Sequence, residues 1–528
     1  MRTLNKIHLV FAILSLFSNA YAQSKIVWLS YPTAGCITCH RIASVKMNDT
    51  LYLIGSFHYQ NNKSNPFIIA IDSQLNVKWW VAFSNSNNIT DLRIDAMVKI
   101  NDSLVAISGG HSSTHNECSS GSCSFYGLFN IKTQNFIWAK YRQTPASDVP
   151  QDIRAIDFDG NNLIIGAGPD KGYSWFAKVD INNGNIIWQK NIIGGDNEYR
   201  LMDGIYDGTG YVFLFCCKSP SRIVKVDATG NLVWAKEYNF GSSRSSYKIL
   251  KDVDGYIVID FRCTDSGNCS TLSNDNILVF KTDFNGNIIW SKLYYTSLGG
   301  DHRAYNGTFD YDGNILISGF IRASNTISYP LVLKINRTNG NLIWARYWDT
   351  PPSGENSNMG KGVISIGPGK FYLITFIGNG ADASGGLAII KEDTNPNLVG
   401  HCTRYITTFT TTNITPTIST LNPTISDANI QIYDLNLIAY NPSVNSTPSC
   451  EINTPISNYE SYNDCEIKIY SRRNYLEILS SEEKLIKIYD VKGRLIYSRK
   501  VKGKEKVFLK RGIYIIKIDN KLTKIFKL

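Results

Sequence analysis

Cys36, Cys39 and His40 form a short pattern that could attach a cofactor covalently. Two residues separate the cysteines and the histidine follows directly, which is the spacing of two thioether bonds and an axial imidazole around c-type haem. Haem also needs an apolar pocket, whereas strand-like sequence begins within a few residues on both sides. We therefore expect no cofactor and interpret the two cysteines as a local or rim disulfide, with haem c as the alternative.

Six further cysteines form three close pairs in the sequence: Cys118 with Cys123, Cys263 with Cys269, and Cys216 with Cys217. The first two pairs bracket short Gly/Ser loops, CSSGSC and CTDSGNC, which a disulfide would close. Free buried thiols are the alternative there. The third pair ends an apolar strand, VFLFCC, where small packed residues fit. The total of eleven cysteines is odd, so at least one thiol lacks a partner within the chain.

Three segments begin like calcium-binding loops: Asp157-Phe-Asp159-Gly160, Asp252-Val-Asp254-Gly255 and Asp310-Tyr-Asp312-Gly313. None has a Glu where a 12-residue calcium loop requires it. Asp-Gly is also the sequence that a tight hairpin turn favours, so we predict turns and no metal site. Because no Gly-x-Ser-x-Gly, zinc spacing or phosphate loop occurs, we assign no catalytic residue. Enzyme activity is left open, with the balance against it.

The elements that would position these residues come from an internal repeat ending in Trp. Its clear copies end at Trp188, Trp234, Trp290 and Trp344, and looser copies end at Trp79 and Trp138. The clear copies share an (Asp/Asn)-x-x-Gly-Asn-x-x-Trp core, in some copies with one more residue before the Gly. Repeats of roughly 50 residues indicate propellers or arrays, in which each unit buries its face against a neighbour.

Each repeat is predicted to be a blade of four short antiparallel strands joined by Gly-Asn and Asp-Gly turns. Six blades end at the tryptophans, and residues 362–392 supply three strands of a seventh. We expect the strand at Lys25–Ser30 to complete that blade and close the ring, which removes exposed strand edges. Residues 397–402 are an alternative fourth strand, and six or eight blades are alternative counts.

Strand direction predicts that one rim of such a propeller carries the variable loops. The loops between second and third strands, and those between blades, would share this rim, whereas the Gly-Asn turns lie opposite. The loop-rich rim would hold residues 36–40, 118–123, 194–196, 263–269 and 299–302. Since binding usually resides in variable loops on a rigid scaffold, we predict that this rim is the working face.

The Trp-ended repeat over residues 25–400 resembles the quinoprotein-like repeat family, which includes non-enzymatic outer-membrane assembly propellers. The resemblance implies a propeller and says little about activity. Quinone-dependent alcohol dehydrogenases of that family carry a vicinal disulfide, so the resemblance offers this pairing for Cys216 and Cys217. We cannot assign the calcium ligands or the catalytic Asp of those enzymes.

The N-terminal end of the chain has the pattern of a signal peptide. Arg2 and Lys6 precede an apolar run of nine residues, and Ala20-Tyr21-Ala22 suits a signal peptidase, so we predict cleavage near Ala22. Nine residues are too few to span a bilayer as a helix, and no later stretch is apolar enough. Export to the cell exterior also suits the disulfide candidates.

The formal charge of +10 is concentrated in the C-terminal segment. Residues 465–528 hold 18 Lys and Arg against 7 Asp and Glu, and the rest of the chain is close to neutral. The neutral body excludes the basic surface that nucleic-acid binding requires. Residues 403–464 are rich in Thr, Asn, Pro and Ser, which predicts an extended linker with some strand character. Seven short strands after it suggest a small immunoglobulin-like sandwich.

The C-terminal segment resembles the type A sorting domain of the type IX secretion system of the Bacteroidetes. The matching residues are Gly493, Arg494, Gly512, Tyr514, Lys524 and Lys527 within IKIYDVKGRLIY, KRGIYIIKI and the basic terminus. The resemblance implies transport across the outer membrane, with the type IX machinery as partner, and often cleavage of the domain. Without it, an immunoglobulin-like binding module for polyanions remains the alternative.

Together these patterns predict an all-β protein with four parts. Residues 1–22 are a signal peptide, 23–402 a seven-bladed β-propeller, 403–464 a linker and 465–528 the sorting domain. The predicted function is non-catalytic binding of a glycan or a protein by the loop-rich rim of a secreted or surface-attached protein. The alternative is a secreted polysaccharide-active or redox enzyme with its site at the channel mouth.

Overall fold

The computed structural model describes most of the chain as β-strands and tight turns. The described residues are 25–30, 42–60, 63–85, 92–111, 123–143, 152–168, 173–193, 200–216, 220–241, 247–262, 275–296, 301–322, 328–348, 357–378, 386–393, 404–407, 409–428, 430–440, 445–451, 460–461, 467–472, 475–490, 494–509, 513–518 and 522–527. These residues contain no helix, and so none of sufficient length and apolarity to cross a membrane. The all-β prediction is confirmed.

Seven antiparallel sheets form a propeller, as predicted. The first three blades are β2 (Ala43–Asn48), β3 (Leu51–Gln60), β4 (Lys63–Ile71) and β5 (Val77–Asn85); β6 (Leu92–Lys99), β7 (Leu104–His111), β8 (Cys123–Asn130) and β9 (Asn135–Gln143); β10 (Ile153–Phe158), β11 (Asn162–Ala167), β12 (Ser174–Asp180) and β13 (Ile186–Ile193). The next three are β14 (Arg200–Tyr206), β15 (Gly210–Cys216), β16 (Ser221–Asp227) and β17 (Leu232–Asn239); β18 (Lys248–Lys251), β19 (Tyr256–Arg262), β20 (Asn276–Thr282) and β21 (Ile288–Tyr295); β22 (His302–Phe309), β23 (Ile315–Arg322), β24 (Ser328–Ile335) and β25 (Leu342–Trp348). The seventh is β26 (Ser357–Gly367), β27 (Lys370–Gly378), β28 (Gly386–Asp393) and β1 (Lys25–Ser30).

The seventh blade takes its fourth strand from the opposite end of the chain. β1 pairs antiparallel with β28, with Lys25 opposite Lys391 and Leu29 opposite Leu387. Residues 394–403 lie outside the described part of the chain. This pairing joins the two ends of the propeller, so that the ring is held closed by backbone hydrogen bonds.

The core of the propeller is divided among the seven interfaces between neighbouring blades. Seven clusters of buried apolar side chains each draw on two adjacent blades. The first cluster joins blades one and seven, with Tyr52 and Tyr372 edge to face at 5.2 Å between ring centroids. Each blade therefore buries its faces only against its neighbours, as expected of a repeat architecture.

The repeated Trp and Gly residues meet across these interfaces. Trp138 Nε1 donates to the carbonyl of Ile181 in the next blade at 2.9 Å, and a Cβ added to Gly184 would lie 2.5 Å from the Trp138 ring. Gly184 also has φ +76°, a conformation that glycine adopts readily. Later copies repeat the contact, pairing Trp188 with Gly230, Trp234 with Gly286 and Trp290 with Gly340. The repeat thus encodes a blade-to-blade contact.

Residues 404–451, predicted as part of a linker, instead add a fifth strand to every blade. These strands are β29 (Arg404–Thr407), β30 (Thr410–Asn413), β31 (Thr417–Thr420), β32 (Thr424–Asp427), β33 (Ile432–Asp434), β34 (Leu437–Tyr440) and β35 (Asn445–Glu451). They pair in chain order with blades six, five, four, three, two, one and seven. The chain therefore reverses after the seventh blade and circles the propeller as an outer belt, the name used below for residues 404–451.

A seven-residue spacing in the belt explains why it fits the blades. The backbone N–H groups of Ile414, Leu421, Ala428 and Leu435 donate to fourth-strand carbonyls of four consecutive blades at 2.9–3.2 Å. Their side chains pack into four successive inter-blade clusters. Asp427 and Asp434, each one residue earlier, accept hydrogen bonds from Lys190 and Lys140 at 2.6 Å. Thr, Asn and Pro between these positions produced the linker prediction, because composition alone does not show a partner.

Residues 451–528 form a separate compact unit. Its strands are β36 (Glu460–Ser461), β37 (Ile467–Arg472), β38 (Tyr475–Asp490), β39 (Leu495–Phe508), β40 (Ile513–Ile518) and β41 (Leu522–Lys527). Two of them replace four of the predicted short strands, since β38 and β39 pair along their whole length with two irregularities, one between Ser480 and Lys484 and one between Ile488 and Tyr489. β38 pairs with β37 through its first half and with β40 through its second half. Ile478, Ile486 and Ile488 are fully buried.

Candidate binding site in the central channel

The innermost strands of all seven blades surround a cavity of about 550 Å³. Its lining includes residues on or directly before β2, β6, β10, β14, β18, β22 and β26. Sites of this size commonly hold small ligands. The cavity is therefore the candidate functional site.

A β-bulge in five innermost strands places an extra residue in this lining. The register skips Asp95, Arg154, Met202, Tyr305 and Lys361, and all five line the cavity. A bulge leaves its extra residue out of the regular pairing and can redirect its side chain, and bulges concentrate near functional sites. Five equivalent bulges thus form a ring of side chains around the channel.

The sequence analysis did not predict this ring, although the spacing between these residues and the first hairpin turn marks some of them. Arg154, Met202 and Tyr305 each lie five residues before the Asp that begins the first hairpin turn of their blade. Tyr247 has the same spacing in blade five and also lines the cavity. A second signal is an Arg two residues before the bulged residue in three strands, at Arg93, Arg200 and Arg303.

The carboxylates that line the cavity are held by cations. Arg93 Nε lies 3.1 Å from Asp95, and Lys248 lies 2.9 Å from Asp203. Asp203 also accepts the backbone N–H of Ile249 in the next blade at 3.0 Å. The third, Asp310, lies 2.6 Å from Lys334. These contacts give each of the three carboxylates a structural role in pairing with a cation.

A buried ion network surrounds Arg154 beside the cavity. Asp152 receives Arg154 Nη2 at 2.8 Å and also pairs with Arg93, which extends the network to Asp95. Burial alone would lower the pKa of the Arg93 guanidinium, but Asp95 and Asp152 outweigh it and raise that pKa. Arg93 therefore stays charged.

Aromatic side chains from blades five and six occupy another part of the lining. Tyr247 meets Tyr305 edge to face at 5.0 Å between ring centroids. Lys361 Nζ of blade seven lies 3.5 Å from the centroid of the Tyr305 ring, within the range of a cation–π contact. Burial raises the pKa of the Tyr305 hydroxyl, so this phenol stays neutral at physiological pH. The lining thus combines flat aromatic faces with cations.

The segments that resemble calcium loops are hairpin turns. Asp159 accepts the backbone N–H groups of Asn161 and Asn162 and pairs with Lys178 at 2.9 Å. Lys281 lies between Asp252 and Asp254, and Lys334 between Asp310 and Asp312. Within the described ranges no group of three His, Cys, Asp or Glu could hold a metal ion. In each of these turns the carboxylates pair with a lysine.

A related turn shows how strongly these lysines act. Burial alone would raise the pKa of Asp207, but hydrogen bonds from Lys225 and Tyr256 outweigh it and lower that pKa to about 2. Tyr256 belongs to the next blade, so the same carboxylate also ties two blades together. This chemistry is structural.

Most cysteine and histidine candidates fall outside the described residues. These are Cys36, Cys39, His40, Cys118, Cys217, Cys263 and Cys269. Cys123 begins β8, but its side chain is not described. Cys216 ends β15, is 3% exposed and takes part in a disulfide. Among the loop-rim candidates, Asp301 and His302 are buried, paired with Arg322 and Thr296 respectively.

The sorting-motif candidates are described only in part. Arg494 closes the β38–β39 turn, where its Nε lies 2.7 Å from Asp490 and its backbone N–H donates to the same carboxylate at 3.0 Å. Its side chain is 72% exposed. Tyr514 lies on β40, and Lys524 and Lys527 lie on β41, without described side chains; Gly493 and Gly512 lie outside the described residues.

Comparison with known proteins finds solved structures at low similarity. No family model and no curated protein matches the chain. Quinohemoprotein alcohol dehydrogenase ADHIIG from Pseudomonas putida HK5 is 11% identical over 64% of this chain and 66% of its own, with a TM-score of 0.36. The periplasmic gluconolactonase PpgL from Pseudomonas aeruginosa is 8% identical over 76% and 99%, with a TM-score of 0.38. Sqt1 from Chaetomium thermophilum is 10% identical over 71% and 98%, with a TM-score of 0.43.

Proposed function

We propose that this protein is exported through the type IX secretion system and binds a ligand, without catalysis, in the channel of its propeller. Its place of action would be the outer cell surface or the medium. The observation that carries the binding proposal is the ring of bulged residues around the cavity, because a bulge costs regular pairing and five blades place a bulged residue in the lining.

The state of the lining carboxylates favours binding over hydrolysis. Acid–base catalysis by two carboxylates needs a carboxylic acid with a raised pKa, and this acid must lie beside the bond that is broken. Asp95, Asp203 and Asp310 instead contact Arg or Lys. Burial raises the pKa of Asp157, but this residue does not line the cavity. Enzyme activity is therefore not part of this proposal, and the binding experiment below is designed to detect it.

Narrowing the channel should weaken ligand binding. We expect the chain from Gln23 to Leu528 to bind at least one ligand class on glycan and protein arrays. Met202→Trp should weaken that binding, because Met202 is buried at the cavity wall and the larger ring would occupy part of the cavity beside Arg154. The matched control is Ile187→Trp, whose parent side chain is 51% exposed on an outer strand.

Two results would contradict this proposal. One is binding that survives Met202→Trp unchanged in a folded protein. The other is release of products from an arrayed or dissolved glycan, which would make the protein an enzyme.

The proposed role of the C-terminal unit is sorting. Support comes from the resemblance of its sequence and from the exposed Arg494 at the turn of a long hairpin, where a receptor could reach it. We propose an immunoglobulin-like arrangement for this unit, in which β38 serves two strand groups through its two halves. Its basic residues would then contribute to recognition by the secretion machinery.

Residues 451–528 should direct a reporter out of a cell that has the type IX system. A fluorescent protein carrying residues 1–22 and this unit is expected in the medium or on the surface, by fractionation and blotting. Arg494→Ala should retain most of it in the periplasm, because the Asp490 turn loses its tether. Lys500→Ala, which removes an exposed pair with Glu483, is the control and should be exported normally. Export of the Arg494→Ala reporter at the control level would refute the motif assignment.

A further inference from the structure

We propose that the channel cavity binds an acidic saccharide and that Arg154 is the anchor for its carboxylate. This inference rests on the proposed function, since it names the ligand class of the same cavity. It follows from the unused donors of Arg154, the charges of the lining and the aromatic faces beside them.

Arg154 is buried but not fully hydrogen-bonded. The residue is 6% exposed, and its Nε has no hydrogen-bond partner among the described residues. Nη2 pairs with Asp152 at 2.8 Å, whereas Nη1 reaches only the sulfur of Met202 at 3.4 Å, and thioether sulfur is a weak acceptor. Buried polar atoms are nearly always satisfied by protein, water or ligand. Because Arg154 lines the cavity, a bound oxygen acceptor there would give Nη1 a stronger partner than the Met202 sulfur.

The charges around the cavity favour an anion as this acceptor. Four cationic side chains and three carboxylates line it: Lys46, Arg154, Lys248 and Lys361, with Asp95, Asp203 and Asp310. The carboxylates are already engaged by Arg93, Lys248 and Lys334, which reduces their repulsion of an anion. Because Lys248 is used in pairing with Asp203, the lining cations that would attract the anion are Lys46, Arg154 and Lys361. An arginine binds a carboxylate through charge-assisted hydrogen bonds, the stronger class in a desolvated site.

The aromatic residues favour a sugar as the carrier of this carboxylate. Tyr247, Tyr305 and Tyr311 line the cavity, and their rings offer apolar faces with polar hydroxyls at the edge. A pyranose ring has the matching character, with C–H groups on its faces and hydroxyls around its rim. Lys361 in blade seven lies across the ring from Arg154 in blade three, so a short chain could contact both cations.

Titration calorimetry on the chain from Gln23 to Leu528 tests this inference. Tetragalacturonate should bind in a salt-sensitive manner, and the neutral galactotetraose and a tetraglutamate peptide should bind at least tenfold more weakly. Arg154→Met should weaken tetragalacturonate binding by roughly tenfold to a hundredfold, because a charge-assisted hydrogen bond is lost. Arg222→Met is the matched control, since Arg222 is also buried but pairs with Glu237 outside the cavity lining.

A second variant keeps the test decisive if Arg154→Met does not fold. Lys361→Glu reverses a charge in the lining and should weaken tetragalacturonate binding by at least tenfold. Unchanged affinity in either folded variant, or equal affinity for the neutral sugar or the peptide, would overturn the inference. Binding of another ligand that Met202→Trp weakens would overturn only the inference and leave the proposed function standing. Binding of no probe on calorimetry or arrays would count against both.

Discussion

A chain that ends at residue 402 should aggregate or unfold, whereas a chain that ends at residue 451 should fold. The shorter chain lacks the belt, so every blade would lose its fifth strand and expose an unpaired strand edge. It would also uncover six inter-blade clusters that belt side chains contact. Size-exclusion chromatography and far-UV circular dichroism of the two chains provide the measurement.

A point substitution examines the same contact in the intact protein. Leu435 is 4% exposed between blades one and two, so Leu435→Ala should lower the free energy of unfolding by about 2–4 kcal/mol. Ile438 lies on the same belt but is 50% exposed, and Ile438→Ala should cost well under 1 kcal/mol. A soluble, native-like chain ending at 402, or equal effects of the two substitutions in urea unfolding, would contradict an integral belt.

Gly184→Ala should destabilise the propeller by roughly 2–4 kcal/mol. The new methyl group would meet the Trp138 ring at 2.5 Å, and the backbone has φ +76°; overpacking and a left-handed conformation each cost of order 1–3 kcal/mol. Chemical unfolding monitored by tryptophan fluorescence and circular dichroism would measure the loss.

A control and a double mutant separate the two causes. Gly160 also has a positive φ, +98°, but nothing lies within 4 Å of an added Cβ, so Gly160→Ala reports the backbone cost alone. In a Trp138→Leu background, Gly184→Ala should cost less than in the parent, because the ring that it strikes is gone. Equal costs at Gly160 and Gly184, or additive effects in the double mutant, would show that the Trp–Gly contact is not the cause.

The belt shows where sequence reasoning failed and why. Ile414, Leu421, Ala428 and Leu435 recur every seven residues, yet polar residues and two prolines separate them and give the segment a linker composition. Each belt strand pairs with a strand more than 50 residues away, and a sequence carries no direct sign of such a partner. The seven-residue spacing of these apolar residues was the signal available in the sequence. It can be interpreted only when the distance between neighbouring blades is known.

The candidate site could not be predicted from the sequence for a different reason. Ligand binding by the loop-rich rim stays a prediction, because its loops lie largely outside the described residues; our proposal instead places binding in the channel. Arg154 and Lys361 share no motif and lie in different blades. They line one cavity because each lies at a bulge of an innermost strand and the innermost strands surround the same channel.

The sequence alone determined the blade and its repetition. Turn-forming Gly-Asn, alternating apolar positions and a Trp that fits over the next Gly act over a few residues or between adjacent repeats, so their order along the chain suffices to predict the architecture. Only the tertiary structure decided which segment surrounds the propeller and which residues line its channel. The belt and the channel lining depend on distances between residues far apart in sequence, and closing the circle sets those distances.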